Sequence, residues 1–267
     1  MKHIPRKRFG QNFLKDPSVL DAIIDAIAPR PEDTMIEIGS GMGAMTECLL
    51  PHLKQLDAVE LDRDLVSFLQ KNFKNSSLTI HQGDALTFNF LSLQRHPDKK
   101  LRIVGNLPYN ISTPLLFHLM AFADHIRDQH FMLQKEVVER MAAEHGSKAY
   151  GKLSIMLQWR YDIDMLFIVP PTAFEPAPKV DSAIVRMIPK TSPIPCNLEN
   201  LSKVVTQAFS QRRKIIRNTL APLFSETELE QSGIDPAKRP EQLTLEQFIT
   251  LSNQLLELQE DSQSKQS

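Results

Sequence analysis

The chain has 267 residues, 42% of them hydrophobic and 24% charged, with a formal net charge of −1. That length admits one large domain or a large and a small one, and the composition excludes wholesale disorder. Apolar runs such as Met165–Val169 fall far short of the roughly 18 residues a membrane helix needs. Two cysteines, Cys48 and Cys196, build neither a disulfide framework nor a metal cluster, and the eight histidines show no ligand spacing, so no metal is expected. Met1–Arg8 is basic but is not followed by an apolar segment, so the reading expects no signal peptide and a cytoplasmic protein.

In chain order, Asp16-Pro17 supplies an N-cap and a first-turn proline, and Val19, Leu20, Ile23, Ile24 and Ile27 then recur at helical spacing. The apolar run Thr34–Ile38 reads as a strand that ends in Gly39-Ser40-Gly41-Met42-Gly43 and is followed by a helix. Leu56–Glu60 is the second strand, Leu65–Phe73 a helix, and Leu78–Gln82 and Leu101–Gly105 the third and fourth strands. Ser112-Thr113-Pro114 caps another helix and His130–Leu133 is a fifth strand. This alternation predicts an α/β fold with a mostly parallel, Rossmann-like sheet and helices on both faces. Two later strands, near Asp164–Val169 and Ser182–Met187, are joined by a loop too short for a crossover helix, which predicts antiparallel pairing at the sheet edge.

Thr191–Pro195 reads as a linker, so the division expected is 1–190 and 191–267. The second part is expected to be a small all-α domain with helices over Leu198–Phe209, Arg212–Leu223, Ser225–Gln231 and Leu245–Leu258. Ser225 and Glu228 form a capping-box pair, and polar Gln259–Ser267 is expected to fray.

Gly39, Gly41 and Gly43 between a strand and a helix let backbone approach a ligand, and Glu60, about 20 residues on, stands where a ribose diol is held. With Ala44 this loop also satisfies a dinucleotide pattern, so a nicotinamide dehydrogenase stays open on these residues alone. Asp84 follows the third strand, where its carboxylate can accept from an adenine amino group. At the end of the fourth strand stands Asn106-Leu107-Pro108-Tyr109. Adenine N6 is a weak nucleophile because its lone pair is delocalised into the ring. The Asn106 amide oxygen and the Leu107 carbonyl can each accept one N6 hydrogen and free that lone pair. Pro108 fixes the turn, and Tyr109 offers a face for a flipped base to stack on. Phe174 lies in the later proline-rich loop beside Lys179, a candidate phosphate contact.

Charge is locally uneven. Lys2–Lys15 holds five Lys/Arg, including Arg6, Lys7 and Arg8, and no acid. Asn200–Ser225 holds Lys203, Arg212, Arg213, Lys214 and Arg217, also with no acid. Both stretches are candidate phosphate tracks as well as candidate solvated faces. In a helix, Arg213 and Arg217 would share one face.

Taken in order, these motifs resemble the ribosomal RNA adenine dimethyltransferases, and within them the bacterial small-subunit enzymes, over nearly the whole chain. Arg8–Leu14 matches the family's entry motif, in which the resemblance makes Asn12 and Leu14 methyl-donor contacts. Glu37–Thr46 matches its S-adenosylmethionine loop, with Ser40, Met42 and Met45 standing where proline and leucines are more usual. Glu60, Asp84 and Asn106–Tyr109 match the ribose acid, the adenine acid and the catalytic tetrad. Phe174–Ser182 matches a late motif whose aromatic residue packs on the target base, and Ala208–Asn218 matches the basic helix of the C-terminal domain. The resemblance implies a class I methyltransferase fold, S-adenosylmethionine as cofactor, and dimethylation of two adjacent adenosines near the 3′ end of small-subunit RNA, coupled to subunit biogenesis. The partner it implies is that RNA or an assembling small subunit, with no membrane. Two alternatives stand beside it: a large-subunit methyltransferase of the macrolide-resistance type, and an assembly factor whose catalysis is secondary.

Overall fold

A computed structural model describes residues 12–211 and 213–264. Strands β2 (Thr34–Ile38) and β3 (Leu56–Glu60) are buried at every position, the pattern of strands covered on both faces. With β4 (Leu78–Gln82), β5 (Leu101–Asn106), β6 (Ile126–Gln134), β7 (Tyr161–Val169) and β9 (Ser182–Pro189) they form a seven-stranded sheet in the order β4-β3-β2-β5-β6-β9-β7. The pairings from β4 through β6 are parallel, and β9 runs antiparallel to β6. The antiparallel strand thus sits one place in from the edge, which β7 occupies. A separate two-stranded ribbon pairs β1 (Phe13–Leu14) with β8 (Phe174–Glu175).

From β2 the chain builds outward through β3 to β4, then returns to the other side of β2 with β5 and β6. The order reverses between β2 and β5, and in open α/β sheets ligands bind outside the carboxyl ends of strands at that point. The ends in question are Ile38-Gly39 and Gly105-Asn106.

Helix α1 (Pro17–Ile27) starts as its sequence dictates: the Asp16 carboxylate accepts from the Ser18 and Val19 amides, and Leu20, Ile23, Ile24 and Ile27 are buried. Helix α2 (Ala44–Leu49) follows the glycine loop, and α3 (Arg63–Asn72) is capped by Asp62. Helix α4 (Ser112–Met120) has Ile111 at its cap without a side-chain bond; the Ser112 hydroxyl instead donates to the Tyr109 carbonyl.

At the amino ends of the strands, Arg102 is 3% exposed. Its guanidinium donates to the Ile27 and Ala28 carbonyls at the end of α1 at 2.5 and 3.3 Å, and to Asp33 at 2.6 Å. It also reaches both oxygens of Asp128 at 2.9 and 3.1 Å. One side chain therefore caps a helix and ties two strands.

The chain divides into two compact units. The first comprises the described residues up to Val138 together with Asp162–Pro189; the second comprises Glu139–Tyr161 and the chain from Lys190 onward. The division expected at 190/191 placed Glu139–Tyr161 with the first part. Helix α5 (Lys135–Met141) follows β6; in the second unit α6 (Lys152–Arg160) packs with α7 (Leu198–Ala208) and α10 (Leu245–Ser264), and Lys152 donates to the Thr206 hydroxyl at 2.8 Å. Tyr150 meets Phe209 edge-on, and Phe209 stacks on Phe248, at ring separations of 6.5 and 6.0 Å. Nothing in the local sequence of 139–161 signals that allegiance.

Two helical expectations need correction. Arg212–Leu223 is not one helix: Lys214 closes a turn on Gln211, Ile215 is extended, and only α8 (Ile216–Thr219) is helical. The Ile216 and Arg217 amides are taken by the Lys238 and Pro236 carbonyls, so tertiary bonds end what propensity would continue. Arg213 is therefore not on a helix face with Arg217, and Arg212 lies outside the described residues. Conversely, α10 runs to Ser264, past Leu258, because Gln259–Ser264 contains neither glycine nor proline to stop it. The Ser225–Glu228 capping box forms as the sequence predicts, at the start of α9 (Glu226–Gln231). No helix among the described residues is long and apolar enough to cross a membrane.

Replacing Arg102 with leucine strands Asp33 and Asp128 without their buried cation. Removal of one partner from such a network costs about 3–5 kcal/mol, so denaturant unfolding of Arg102→Leu is expected to show a loss of that order. A loss below about 1 kcal/mol would mean that the network does not hold these elements together.

Candidate active site

The glycine loop leaves β2 with Gly39 donating to the Val59 carbonyl at 2.9 Å. Gly41 has φ +57°, and a β-carbon there would meet the Phe13 ring at 3.1 Å, so both conformation and space call for glycine. Its amide donates to Glu60 Oε2 at 3.1 Å, while the Asp62 amide donates to Glu60 Oε1 at 3.0 Å. The Glu60 carboxylate thus bridges the loop to the end of β3. Burial holds its pKa above the usual carboxylate range, opposed by those backbone bonds.

Across the switch point, Asn106 ends β5. Its amide nitrogen donates to the Asn12 carbonyl at 3.1 Å, which leaves the amide oxygen as its acceptor. The turn after it is held at both ends: the Leu107 amide donates to the Met132 carbonyl, and the Ile111 amide to Pro108. The Tyr109 hydroxyl lies 2.8 Å from the Ser182 hydroxyl. Burial raises the Tyr109 phenol above its ordinary pKa. At the end of β4, Asp84 closes a turn by accepting from the Leu86 amide at 2.9 Å and remains exposed.

These residues line one cavity. Asn12, Leu14, Gly39, Gly41, Glu60, Asp84 and the whole Asn106–Tyr109 tetrad all border it. Phe174 does not. The residue is 3% exposed and belongs to the apolar cluster of Leu14, Ile24, Met132 and Val169. Pairing of β8 with β1 sets Phe174 opposite Leu14, so the ribbon carries it into the core and it presents no face to a base as placed. Lys179, Arg213, Lys214 and Arg217 are exposed, and Arg217 is paired with Glu226 at 3.1 Å. Arg6, Lys7, Arg8 and Arg212 lie outside the described residues.

Sequence reasoning named Glu37 only as the start of a motif. It lines the cavity at 2% exposure, accepts from the Thr46 hydroxyl at 2.6 Å, and burial pushes its pKa up to about 7. Among the described lining residues are four carboxylates, Glu37, Glu60, Asp62 and Asp84, and no lysine, arginine or histidine. Such a wall repels a dinucleotide pyrophosphate and suits a ligand with cationic groups and a ribose diol.

The sequence model of the ribosomal RNA adenine dimethylases matches residues 2–257. The chain belongs to that family. It is 61% identical over 255 residues to the ribosomal RNA small subunit methyltransferase A of Herminiimonas arsenicoxydans, covering 96% of this chain and 100% of the relative. It is 54% identical to the protein of the same name from Chromobacterium violaceum, covering 95% and 97%. Among solved structures, a dimethyladenosine transferase from Plasmodium falciparum superposes with a TM-score of 0.79 at 28% identity, covering 92% of this chain and 98% of that one. The 23S rRNA methyltransferase ErmE shares the fold, with a TM-score of 0.69 at 23% identity over 91% and 99%.

The cofactor of this family is S-adenosylmethionine, and the acid-lined cavity fits it. Its sulfonium and ammonium groups are cations, and its ribose diol matches a carboxylate held at a strand end. A cation held in this cavity would favour the ionised form of Glu37, which lines it. Because that carboxyl is protonated below about pH 7 in the folded protein, donor binding is expected to release a proton near neutrality and to tighten as pH rises between about 6 and 8. Calorimetry in buffers of different ionisation enthalpy measures the proton directly, and Glu37→Gln is expected to abolish it. An unchanged proton count in that variant would assign the titration to another group.

Proposed function

We propose that the chain uses S-adenosylmethionine to dimethylate N6 of two adjacent adenosines near the 3′ end of small-subunit ribosomal RNA, in the cytoplasm, during assembly of that subunit. The observation that carries the chemistry is the Asn106 amide, tied back to Asn12 through its nitrogen so that its oxygen is the acceptor at the cavity. Small-subunit choice is supported by the names of the relatives at 61% and 54% identity.

In this reading Gly39 and Gly41 let backbone approach the donor, Glu60 takes its ribose, Asp84 its adenine amino group, and Asn12 and Leu14 complete its seat. The donor supplies an electrophilic methyl on sulfur. Asn106 Oδ1 and the Leu107 carbonyl each accept one N6 hydrogen, which turns the nitrogen toward tetrahedral geometry and aims its lone pair at that methyl. Pro108 fixes the turn and the Tyr109 ring stacks on the extruded base. The methylated ammonium formed at N6 is acidic enough to lose its proton to water or a nearby acceptor, so positioning and hydrogen-bond acceptors supply the catalysis. A second transfer requires the same pocket to readmit N6-methyladenine. Lys179, Arg213, Lys214 and Arg217, with Arg6, Lys7, Arg8 and Arg212, supply phosphate contacts.

Incubation with methyl-labelled donor and unmethylated small or large ribosomal subunits tests this directly. Label is expected in N6,N6-dimethyladenosine from small subunits. Label from large subunits alone would move the substrate to the other subunit, and no label despite donor binding would leave the assembly-factor reading. Asn106→Ala is expected to lose about 100-fold or more in turnover, the scale for removing one preorganised hydrogen-bonding group, with donor affinity largely kept. Parental turnover in that variant would remove the N6-polarising role.

A further inference from the structure

We propose that Ser182 is a positioning residue for Tyr109: from the first residue of β9 its hydroxyl holds the phenol and thereby sets the ring against which the target adenine stacks. The inference rests on the base-facing reading of Tyr109 given above and adds the group that orients it.

Ser182 opens a strand whose first four positions are all buried, and it is followed by Ala183, Ile184 and Val185. It is 0% exposed. A hydroxyl in such a run is costly unless it is hydrogen-bonded, and its bond is the one to Tyr109 at 2.8 Å. A tyrosine has only two side-chain torsions, and its phenol oxygen lies on the axis of the second. A bond at the tip therefore fixes the first torsion and the place of the ring once the backbone is fixed, while the in-plane preference of the phenolic O–H biases the ring's rotation. The backbone is fixed here: Ser112 donates to the Tyr109 carbonyl at 3.0 Å, and the Ile111 amide closes the turn on Pro108.

Both partners are referenced to one strand. The Leu107 amide bonds to Met132 of β6, and the Lys135 amide, just past β6, bonds to Asp181. Ser182 is itself in register with Gln134. The separation between the catalytic turn and Ser182 is therefore set by the sheet. Burial also raises the phenol above its ordinary pKa, which keeps the tyrosine neutral and able to donate.

The test is a double-mutant cycle on full-length protein with small subunits as substrate, each variant checked for a parental unfolding transition. Tyr109→Phe keeps the stacking ring and removes the bond, and Ser182→Ala removes it from the other side. Each is expected to lower kcat/KM about tenfold, a modest misplacement of a reacting group, with donor affinity unchanged. The double variant is expected to be no worse than either single one, since both delete the same bond. Ser182→Thr, which keeps the hydroxyl, is expected to retain most activity. Tyr109→Ala is expected to lose more than Tyr109→Phe because the ring itself goes. Multiplying losses in the double variant, or parental activity in Ser182→Ala, would overturn the positioning role while leaving the base-facing reading intact. Parental activity in Tyr109→Ala would overturn both.

Discussion

The architecture of the site depends on how closely two parallel strands approach at their carboxyl ends. A β-carbon on Gly105 would lie 2.5 Å from the Ile38 carbonyl oxygen, a distance no side chain tolerates. Glycine there lets the end of β5 press against the end of β2, at the point where strand order reverses. On the other strand, a β-carbon at Gly39 would come 3.8 Å from the Asn106 carbonyl. The glycine loop and the catalytic turn thus face each other across a narrow crevice, and the residues that hold a donor and the residues that polarise an acceptor become one cavity.

Two ties keep that crevice in shape. On one side the Glu60 carboxylate accepts from Gly41 and Asp62, so the loop cannot drift from β3. On the other, the turn after Asn106 bonds to β6 through Leu107. The amino ends of the same strands are fastened separately through Arg102, which reaches α1, Asp33 and Asp128. The carboxyl end of the sheet carries the four carboxylates that line the cavity. Glu37 shows the cost: it is buried deeply enough that it holds a proton to about pH 7.

Much of this was legible in the residues. Thr34–Ile38, Leu56–Glu60 and Leu78–Gln82 are strands with the bounds expected, because short apolar runs between turn signals leave little else for a parallel sheet. Gly41, Glu60, Asp84 and Asn106 meet in one cavity because each ends a parallel strand or follows one, and the topology brings strand ends together. What escaped was decided by tertiary contacts. Two residues each for β1 and β8 carry no periodicity, and their pairing is what draws Phe174 into the core. The break after Gln211 depends on carbonyls more than 20 residues away, at Pro236 and Lys238. Ser182 reads as an ordinary strand residue until the Tyr109 phenol is set beside it, and the protonation of Glu37 follows from depth rather than from its neighbours in sequence.

Whether close approach of β5 to β2 creates the donor seat is read from the S-adenosylmethionine dissociation constant of Gly105→Ala, measured calorimetrically beside circular dichroism. The added methyl must push the strand ends apart, so affinity is expected to be at least about tenfold weaker, a loss of about 1.4 kcal/mol, in a protein that keeps its secondary structure. Parental affinity in that variant would show that the donor seat forms without the close contact of Gly105 with Ile38.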